Sequence, residues 1–240
     1  MSSEHQLREQ ICEIGRRLWQ RGMVAAIDGN ISARLPDGTI LCTPTNVSKG
    51  FVAPEDLVRL TPDGRVLGPG RPSSEAMLHL ACYCARRDVG GVVHAHPPYA
   101  TAFAARGEAL PVHYLTEMAV ALGEVPCTAF ARPGTIEVVE VALPLLVRAD
   151  AFLLRHHGPV AVGRDVREAH HRIEWVEQGA QVAAIIAQLG GAAPFTPEQL
   201  AELARIRADL GLGVDPADYA PGDCVARIAA GWGQRGGDAG

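Results

Sequence analysis

The sequence lacks the features that mark several large classes of protein. It has no run of about 18 uncharged apolar residues, so we expect no membrane span. Its first residues show no basic region followed by an apolar segment, so we expect no secretory signal. A formal charge of −5 offers little to attract nucleic acid, and no glycine-rich nucleotide fingerprint occurs. We therefore expect a cytoplasmic protein whose partner is a small molecule.

Cysteine pairs of the Cys-x-x-Cys type are also missing, although the chain has six cysteines. They are scattered at Cys12, Cys42, Cys82, Cys84, Cys127 and Cys224. Cys82 and Cys84 are two residues apart on a predicted helix, so their side chains point in different directions. We interpret all six as reduced thiols in a cytoplasmic protein.

Helical and strand-like segments alternate along the chain, and 48% of its residues are hydrophobic, which is enough for a substantial core. Apolar spacing and capping signals predict helices over 4–21, 72–87, 98–105, 135–145 and 165–189, with a further helix from 196. Strands are predicted over 30–34, 39–43, 57–60, 92–96, 151–155 and 160–163. The pattern predicts one α/β domain over 1–210. A Gly- and Pro-rich tail, partly flexible, is predicted over 211–240.

Two histidines stand two residues apart in Val92-Val93-His94-Ala95-His96. Side chains at i and i+2 of a strand share one face, so both rings can reach a single ion. Glu75 lies upstream and His157 downstream. Three imidazoles and a carboxylate are ligands typical of zinc or a similar divalent metal. The alternative for each histidine alone is a satisfied core residue.

His156 and His157 compete for the third position in this ligand set. They would face opposite ways if the strand continued, so only one can point at the metal. Gly158 permits a tight turn and a close backbone approach directly after His157. We therefore predict that His157 is the ligand and that His156 is a partly buried structural residue.

Ser73 and Ser74 precede Glu75 at the predicted start of a helix, where free N–H groups favour an anion. The alternative is that Ser73 only caps the helix. Two turns, at 28–32 and 43–46, offer further N–H groups with short polar side chains. Ordinary turns would look the same.

Taken in order, these motifs resemble the class II aldolase/adducin family, most closely its fuculose-1-phosphate aldolase group. The matching segments are Gly29-Asn30-Ile31-Ser32, Thr43-Pro44-Thr45, Pro72-Ser73-Ser74-Glu75, His94-Ala95-His96, His113-Tyr114 and His157-Gly158. They span about residues 5 to 190. The resemblance implies a single three-layer α/β domain whose central, mainly antiparallel sheet is flanked by helices.

The resemblance also implies a metal site and a reaction. His94, His96, His157 and Glu75 would hold Zn²⁺, with Mn²⁺ or Co²⁺ as alternatives. The enzyme would be a lyase, an aldolase that cleaves a ketose 1-phosphate of the fuculose or deoxy- or methylthio-ribulose type. Its products would be dihydroxyacetone phosphate and an aldehyde, with Glu75 as base. Alternatives on the same scaffold are an epimerase, a dehydratase or a decarboxylase, or a non-catalytic adducin-like module.

Substrate and partner residues follow from the same resemblance. The substrate phosphate would lie against Gly29, Asn30, Thr45, Asn46, Ser73 and Ser74. Tyr114 would donate a proton across the interface of a homotetramer. The sequence departs from the aldolases at three places. Asn46 replaces a glycine, Glu117 adds a carboxylate, and only Tyr219 is available for a C-terminal tyrosine.

Overall fold

An antiparallel sheet forms the middle layer of the protein. The computed structural model describes residues 3–233, and the strands within them are β1 (Asn30–Arg34), β2 (Ile40–Cys42), β3 (Val58–Leu60), β4 (Val66–Leu67), β5 (Gly91–His94), β6 (Ala151–Leu154) and β7 (Gly158–Gly163). Each neighbouring pair is antiparallel, in the order β4-β3-β2-β1-β5-β7-β6. The predicted α/β class with an antiparallel sheet is confirmed.

Helices cover both faces of this sheet. In the described residues they are α1 (Glu4–Gln20), α2 (Ala76–Ala85), α3 (Pro98–Arg106), α4 (Thr116–Ala121), α5 (Ile136–Ala142), α6 (Val166–Gln188), α7 (Pro197–Asp209) and α8 (Cys224–Gly233). The N-cap residues predicted for α6 and α7 form their hydrogen bonds. Asp165 accepts from the N–H of Glu168 at the start of α6, and Thr196 forms a capping box with Gln199 at the start of α7. None of the described helices combines the length and apolar character that a membrane span requires.

The predicted start of α2 was wrong, because this helix starts at Ala76 and not at the Pro72–Ser73 pair. The strand predicted over 92–96 also ends earlier, at His94, so His96 lies just beyond it. Pro72 instead forms an isolated bridge with Pro44, and the N–H of Ser73 donates to the carbonyl of Thr43 at 3.0 Å. This pairing keeps the backbone extended before the helix. Glu75 is consequently the cap residue of α2, at the edge of a turn that faces the end of the sheet.

The sheet separates two hydrophobic cores. Side chains alternate between its faces, so Val93 belongs to the core under α1, α3 and α6, whereas Val92 belongs to the core under α2, α5 and α8. Asn30 pairs with His94 in the register of β1 and β5. Residues that face each other across an antiparallel pair point to the same side, so both project on the α2 side.

A buried ion cluster ties the helices to the sheet at Asp150, which is 1% exposed. Its carboxylate accepts from Arg86 at 3.0 Å and lies 3.1 Å from Arg172 and 3.3 Å from Arg207. Arg207 also donates to two backbone carbonyls of α4. Arg207 thereby links α7, which has no buried residue, to α4 and to Asp150.

The segment after residue 211, predicted as a tail, packs on α2 as far as it is described. It contains a 3-10 turn, Pro216–Asp218, followed by α8. The N–H of Ala220 donates to the carbonyl of Ala85 at 2.8 Å, and Ile228 of α8 is buried. The remainder of the predicted tail, 234–240, lies outside the described residues.

A disulfide joins Cys84 of α2 to Cys224 of α8. The prediction that all cysteines are reduced was therefore wrong for this pair, whose partners lie 140 residues apart in sequence. Cys12 and Cys82 are buried thiols, and burial raises their pKa values to about 11 and about 12. Neither is reactive at neutral pH.

Gly15 lies in the middle of α1, where a Cβ would run into the backbone carbonyl of Lys49. Alanine favours a helix by about 1 kcal/mol over glycine, but forcing a backbone shift costs about 1–3 kcal/mol. We expect Gly15→Ala to lower the free energy of unfolding by about 1–2 kcal/mol in urea titrations.

Gly179→Ala is the matched control, because a Cβ there would meet the flexible Met118 side chain, with its sulfur at 2.9 Å. We expect this variant to stay within about 0.5 kcal/mol of the parent. A Gly15→Ala protein that is more stable than the parent would show that this helix does not depend on the close approach of residue 49.

Candidate functional site

Three imidazoles meet at one end of the sheet. His94 ends β5, His96 follows two residues later, and His157 lies in the turn between β6 and β7. The Nε2 atom of His94 lies 3.0 Å from that of His96 and 3.3 Å from that of His157. The structure therefore brings together the three histidines selected from the sequence.

The hydrogen bond of His94 fixes which of its nitrogens faces the other rings. Its Nδ1 lies 2.9 Å from the carbonyl oxygen of Pro159, which can only accept, so Nδ1 carries the proton. The neutral ring then presents the lone pair of Nε2 to His96 and His157. Burial, reinforced by these two imidazoles, holds the pKa of His94 well below its usual range. Burial also lowers the pKa of His157.

Glu75 completes a four-membered group. Its two oxygens lie 3.5 Å from Nε2 of His94 and 3.4 Å from Nε2 of His157. The side-chain amide of Asn30 donates to the same carboxylate at 2.8 Å. The strand register that pairs Asn30 with His94 thus also fixes the orientation of Glu75.

This geometry can accommodate a metal ion. With metal–ligand bonds of about 2.0–2.1 Å, the ligand atoms of a tetrahedral site lie about 3.4 Å apart. The contacts of His94 with His96, His157 and Glu75, at 3.0, 3.3 and 3.5 Å, are close to that value, and the ligand nitrogens of the three histidines all lie within 4.8 Å of one another. Three neutral nitrogens with one carboxylate oxygen suit zinc and also suit other first-row divalent metals.

Two further polar groups surround the histidines. Asp28 lies 3.4 Å from the outer nitrogen, Nδ1, of His96, which is the contact that orients a metal-binding imidazole. His79 is buried one helical turn after Glu75, and its Nδ1 lies 2.7 Å from the hydroxyl of Ser32. Burial lowers the pKa of His79 to about 3, so it is a neutral core residue behind the site.

A cavity of about 510 Å³ opens beside the histidines. It is enclosed by the turn before β1, the turn after β2 and the segment that leads into α2, with Pro133 and Gly134 opposite. The six residues predicted to hold a phosphate all line it: Gly29, Asn30, Thr45, Asn46, Ser73 and Ser74. Their binding of phosphate stays a prediction.

Ser73 caps the start of α2 and also lines the cavity, where it could contact a ligand. Its hydroxyl accepts from the N–H of Glu75 at 3.3 Å, as a capping residue does, while the hydroxyl hydrogen remains for a ligand. Ser74 is exposed at the cavity rim.

Asn46 keeps the backbone that its turn requires. Its φ is +59°, in the left-handed region, which asparagine tolerates better than most residues. The replacement of a glycine at this position therefore leaves the turn intact and adds a side-chain amide to the cavity wall.

Other predicted residues lie elsewhere in the chain. Tyr114 lines a separate cavity of about 530 Å³ between α3 and α6, and Glu117 is exposed on α4. The hydroxyl of Tyr219 donates to the carbonyl of Leu143 at 3.1 Å, beside α2. His156 is exposed in the turn after β6, whereas the sequence predicted partial burial. A role for Tyr114 in a neighbouring subunit stays a prediction.

Sequence reasoning missed two charged residues of the site. Asp28 was considered only as part of a turn, although it orients His96. Lys49 was not considered, yet its side chain lines the cavity and is 2% exposed. Burial lowers the pKa of its ammonium group. Its signal in the sequence is that it is the one lysine of the chain.

Fold and site together define a protein with an antiparallel sheet, one end of which carries three histidines that could hold a metal ion. Residues 9–184 match the family model described as the Class II Aldolase and Adducin N-terminal domain. The chain belongs to this family.

Relatives support the assignment over most of the chain. A 3-oxo-tetronate 4-phosphate decarboxylase from Escherichia coli O6:H1 is 32% identical, over 85% of this chain and 97% of the relative. A 5-methylthioribulose-1-phosphate/5-deoxyribulose-1-phosphate aldolase from Rhodospirillum rubrum is 35% identical over 73% and 79%. The crystal structure of YgbL from Escherichia coli superposes with a TM-score of 0.79, covering 83% of this chain and 98% of that one, at 31% identity.

The choice between the two neighbouring histidines can be tested by metal titration. Loss of an outer-shell partner typically costs about 10–100-fold in metal affinity, and loss of a direct ligand should cost more. We expect His157→Ala to weaken zinc binding by more than about 100-fold in competition with a chelator. The control His156→Ala, next to it but exposed, should change affinity by no more than a few-fold. The reverse ranking would assign the ligand to His156.

Proposed function

We propose that this protein is a metal-dependent lyase that decarboxylates a 3-oxo-tetronate 4-phosphate to carbon dioxide and dihydroxyacetone phosphate. One observation carries the choice of reaction: the chain is 32% identical, over 85% of its length, to a protein named as a 3-oxo-tetronate 4-phosphate decarboxylase, and a second protein of that name is 34% identical over 76%. Decarboxylation needs no base for the group that leaves, whereas aldol cleavage needs a group that takes the proton of a hydroxyl.

The chemistry can be followed on the bonds of the substrate. The bond between the carboxylate carbon and C2 breaks, carbon dioxide leaves, and the electron pair spreads from C2 onto the C3 carbonyl oxygen as an enediolate. A divalent cation held by His94, His96 and His157 supplies Lewis-acid stabilisation of this negative charge. A proton delivered to C2 then completes dihydroxyacetone phosphate.

We assign delivery of that proton to the carboxyl group of Glu75, which would take it up from water before each turnover. Its oxygens lie 3.5 Å from Nε2 of His94 and 3.4 Å from Nε2 of His157, and Asn30 donates a hydrogen bond to it. The cavity turns would bind the phosphate at a distance from this centre, and their contribution is to position C2.

Aldol cleavage of a ketose 1-phosphate is the second candidate, favoured by the similarity to the Rhodospirillum rubrum aldolase. It would produce the same enediolate together with an aldehyde. Its missing proton acceptor would be Tyr114 from a neighbouring subunit of a homotetramer. Both candidates therefore share the metal ligands and Glu75, and differ in their need for Tyr114.

A panel of substrates separates the two candidates. With zinc-loaded protein and coupled detection of dihydroxyacetone phosphate, we expect kcat/KM for 3-oxo-tetronate 4-phosphate to exceed that for 5-deoxyribulose 1-phosphate and fuculose 1-phosphate by about 100-fold, the range one pocket commonly achieves. Tyr114→Phe should leave decarboxylation within a few-fold. Preference for a ketose 1-phosphate, with loss of activity in Tyr114→Phe, would establish the aldolase instead.

Glu75→Gln tests the proton-transfer step. We expect the variant to keep most of its metal, because three imidazoles remain, and to lose about 10²–10⁴-fold in kcat, the usual contribution of a general acid or base. Metal content by mass spectrometry and turnover on the same sample give both numbers. Glu117→Gln, an exposed glutamate outside the cavity, is the matched control. Turnover of Glu75→Gln near that of the control would exclude the proposed step.

A further inference from the structure

Lys49 is the one lysine among 240 residues, and it is buried at the wall of the metal-side cavity. Its ammonium nitrogen donates to the carbonyl of Ile27 at 2.8 Å and to the carbonyl of Val47 at 2.6 Å. A buried ammonium is costly unless it is hydrogen-bonded, so these two contacts account for its presence inside the fold. They do not account for its position beside a cavity.

The two carbonyls belong to the turns that form the cavity. Ile27 directly precedes the turn of Gly29 and Asn30, and Val47 directly follows Thr45 and Asn46. An ammonium group has three N–H donors, and two of them are used by these carbonyls. The ammonium group therefore has one N–H donor beyond the two that these carbonyls accept.

Lys49 is the charged side chain of the cavity that favours binding of an anion. The other ionised side chains that line the cavity in the described residues are Asp28 and Glu75, which are both negative. A phosphate dianion entering past these carboxylates would be repelled. Lys49 is the one fixed positive charge among the described lining residues, and its field is weakly screened because the side chain is buried.

We infer that Lys49 binds the phosphate group of the substrate, supplying the positive charge that the neutral turns lack and making the cavity selective for phosphorylated molecules. The inference rests on the proposed function for the identity of the substrate. The binding of a phosphate anion at Lys49 does not depend on which bond the enzyme breaks.

Two variants distinguish the positive charge of Lys49 from its hydrogen bonds to the two turns. Lys49→Gln can still donate to both carbonyls but is neutral, whereas Lys49→Arg keeps the charge in a different shape. We expect Lys49→Gln to weaken binding of inorganic phosphate to the zinc-loaded protein by about 10–100-fold in calorimetry, and Lys49→Arg to recover at least part of the loss.

With the true substrate, Lys49→Gln should raise KM by a similar factor and change kcat only a few-fold. Arg65→Met, which removes an exposed positive charge, is the control.

A spectroscopic experiment on the unaltered protein covers the case in which a variant fails to fold. Because the chain has one lysine, protein labelled with ¹³C-lysine gives a single Cε NMR signal, which belongs to Lys49. We expect inorganic phosphate, added to the zinc-loaded protein, to shift this signal until the site is saturated, and sodium chloride at the same ionic strength to leave it unchanged. A signal that phosphate does not move would overturn the inference, as would unchanged phosphate affinity in folded Lys49→Gln.

These outcomes are distinct from a failure of the proposed function. If no decarboxylation is found but phosphate shifts the Lys49 signal, the anion site stands and the reaction must be sought among other phosphorylated substrates. If decarboxylation is found and phosphate neither binds nor shifts the Lys49 signal, the reaction stands and the role of Lys49 is to hold the two turns.

Discussion

The pairing of β5 with its two neighbours is the constraint on which the rest of the site depends. Pairing with β1 sets Asn30 beside His94, and pairing with β7 sets His94 beside Val160, next to the carbonyl that fixes its tautomer. A shift of one residue in either register would turn His94 into the opposite core. Backbone hydrogen bonds along three strands therefore hold the metal ligands, and the site needs few contacts of its own.

Burial is what makes these histidines useful as ligands. A charged imidazole beside two others would be repelled, and desolvation adds to that penalty for His94. His94 is thus neutral, and the lone pair of its Nε2 faces His96 and His157, where a cation could be bound. Asn30 and Asp28 hold Glu75 and His96 from outside, so the ligand group is organised in advance.

The sequence predicted the sheet, the grouping of the three histidines and most helices, because each depends on local signals: periodicity, caps and the spacing of His94 and His96. It failed where distant segments decide the structure. The bridge between Pro44 and Pro72 delays α2, and the partner of Cys84 is 140 residues away. Lys49 was missed for the same reason, since only the folded chain brings its ammonium group between two turns. The contribution of Tyr114 depends on contacts beyond one chain.

The candidate site divides into a rigid part and a part made of turns. The three histidines lie at strand ends, where packing and register leave little freedom. The cavity beside them is instead made of turns, which tolerate changes such as Asn46 in a left-handed position without disturbing the sheet. In the proposed function the rigid part would stabilise the enediolate, and the turns would select substrates that carry a phosphate. The charge and amides carried by residues 27–49 are consequently where this selectivity should be sought.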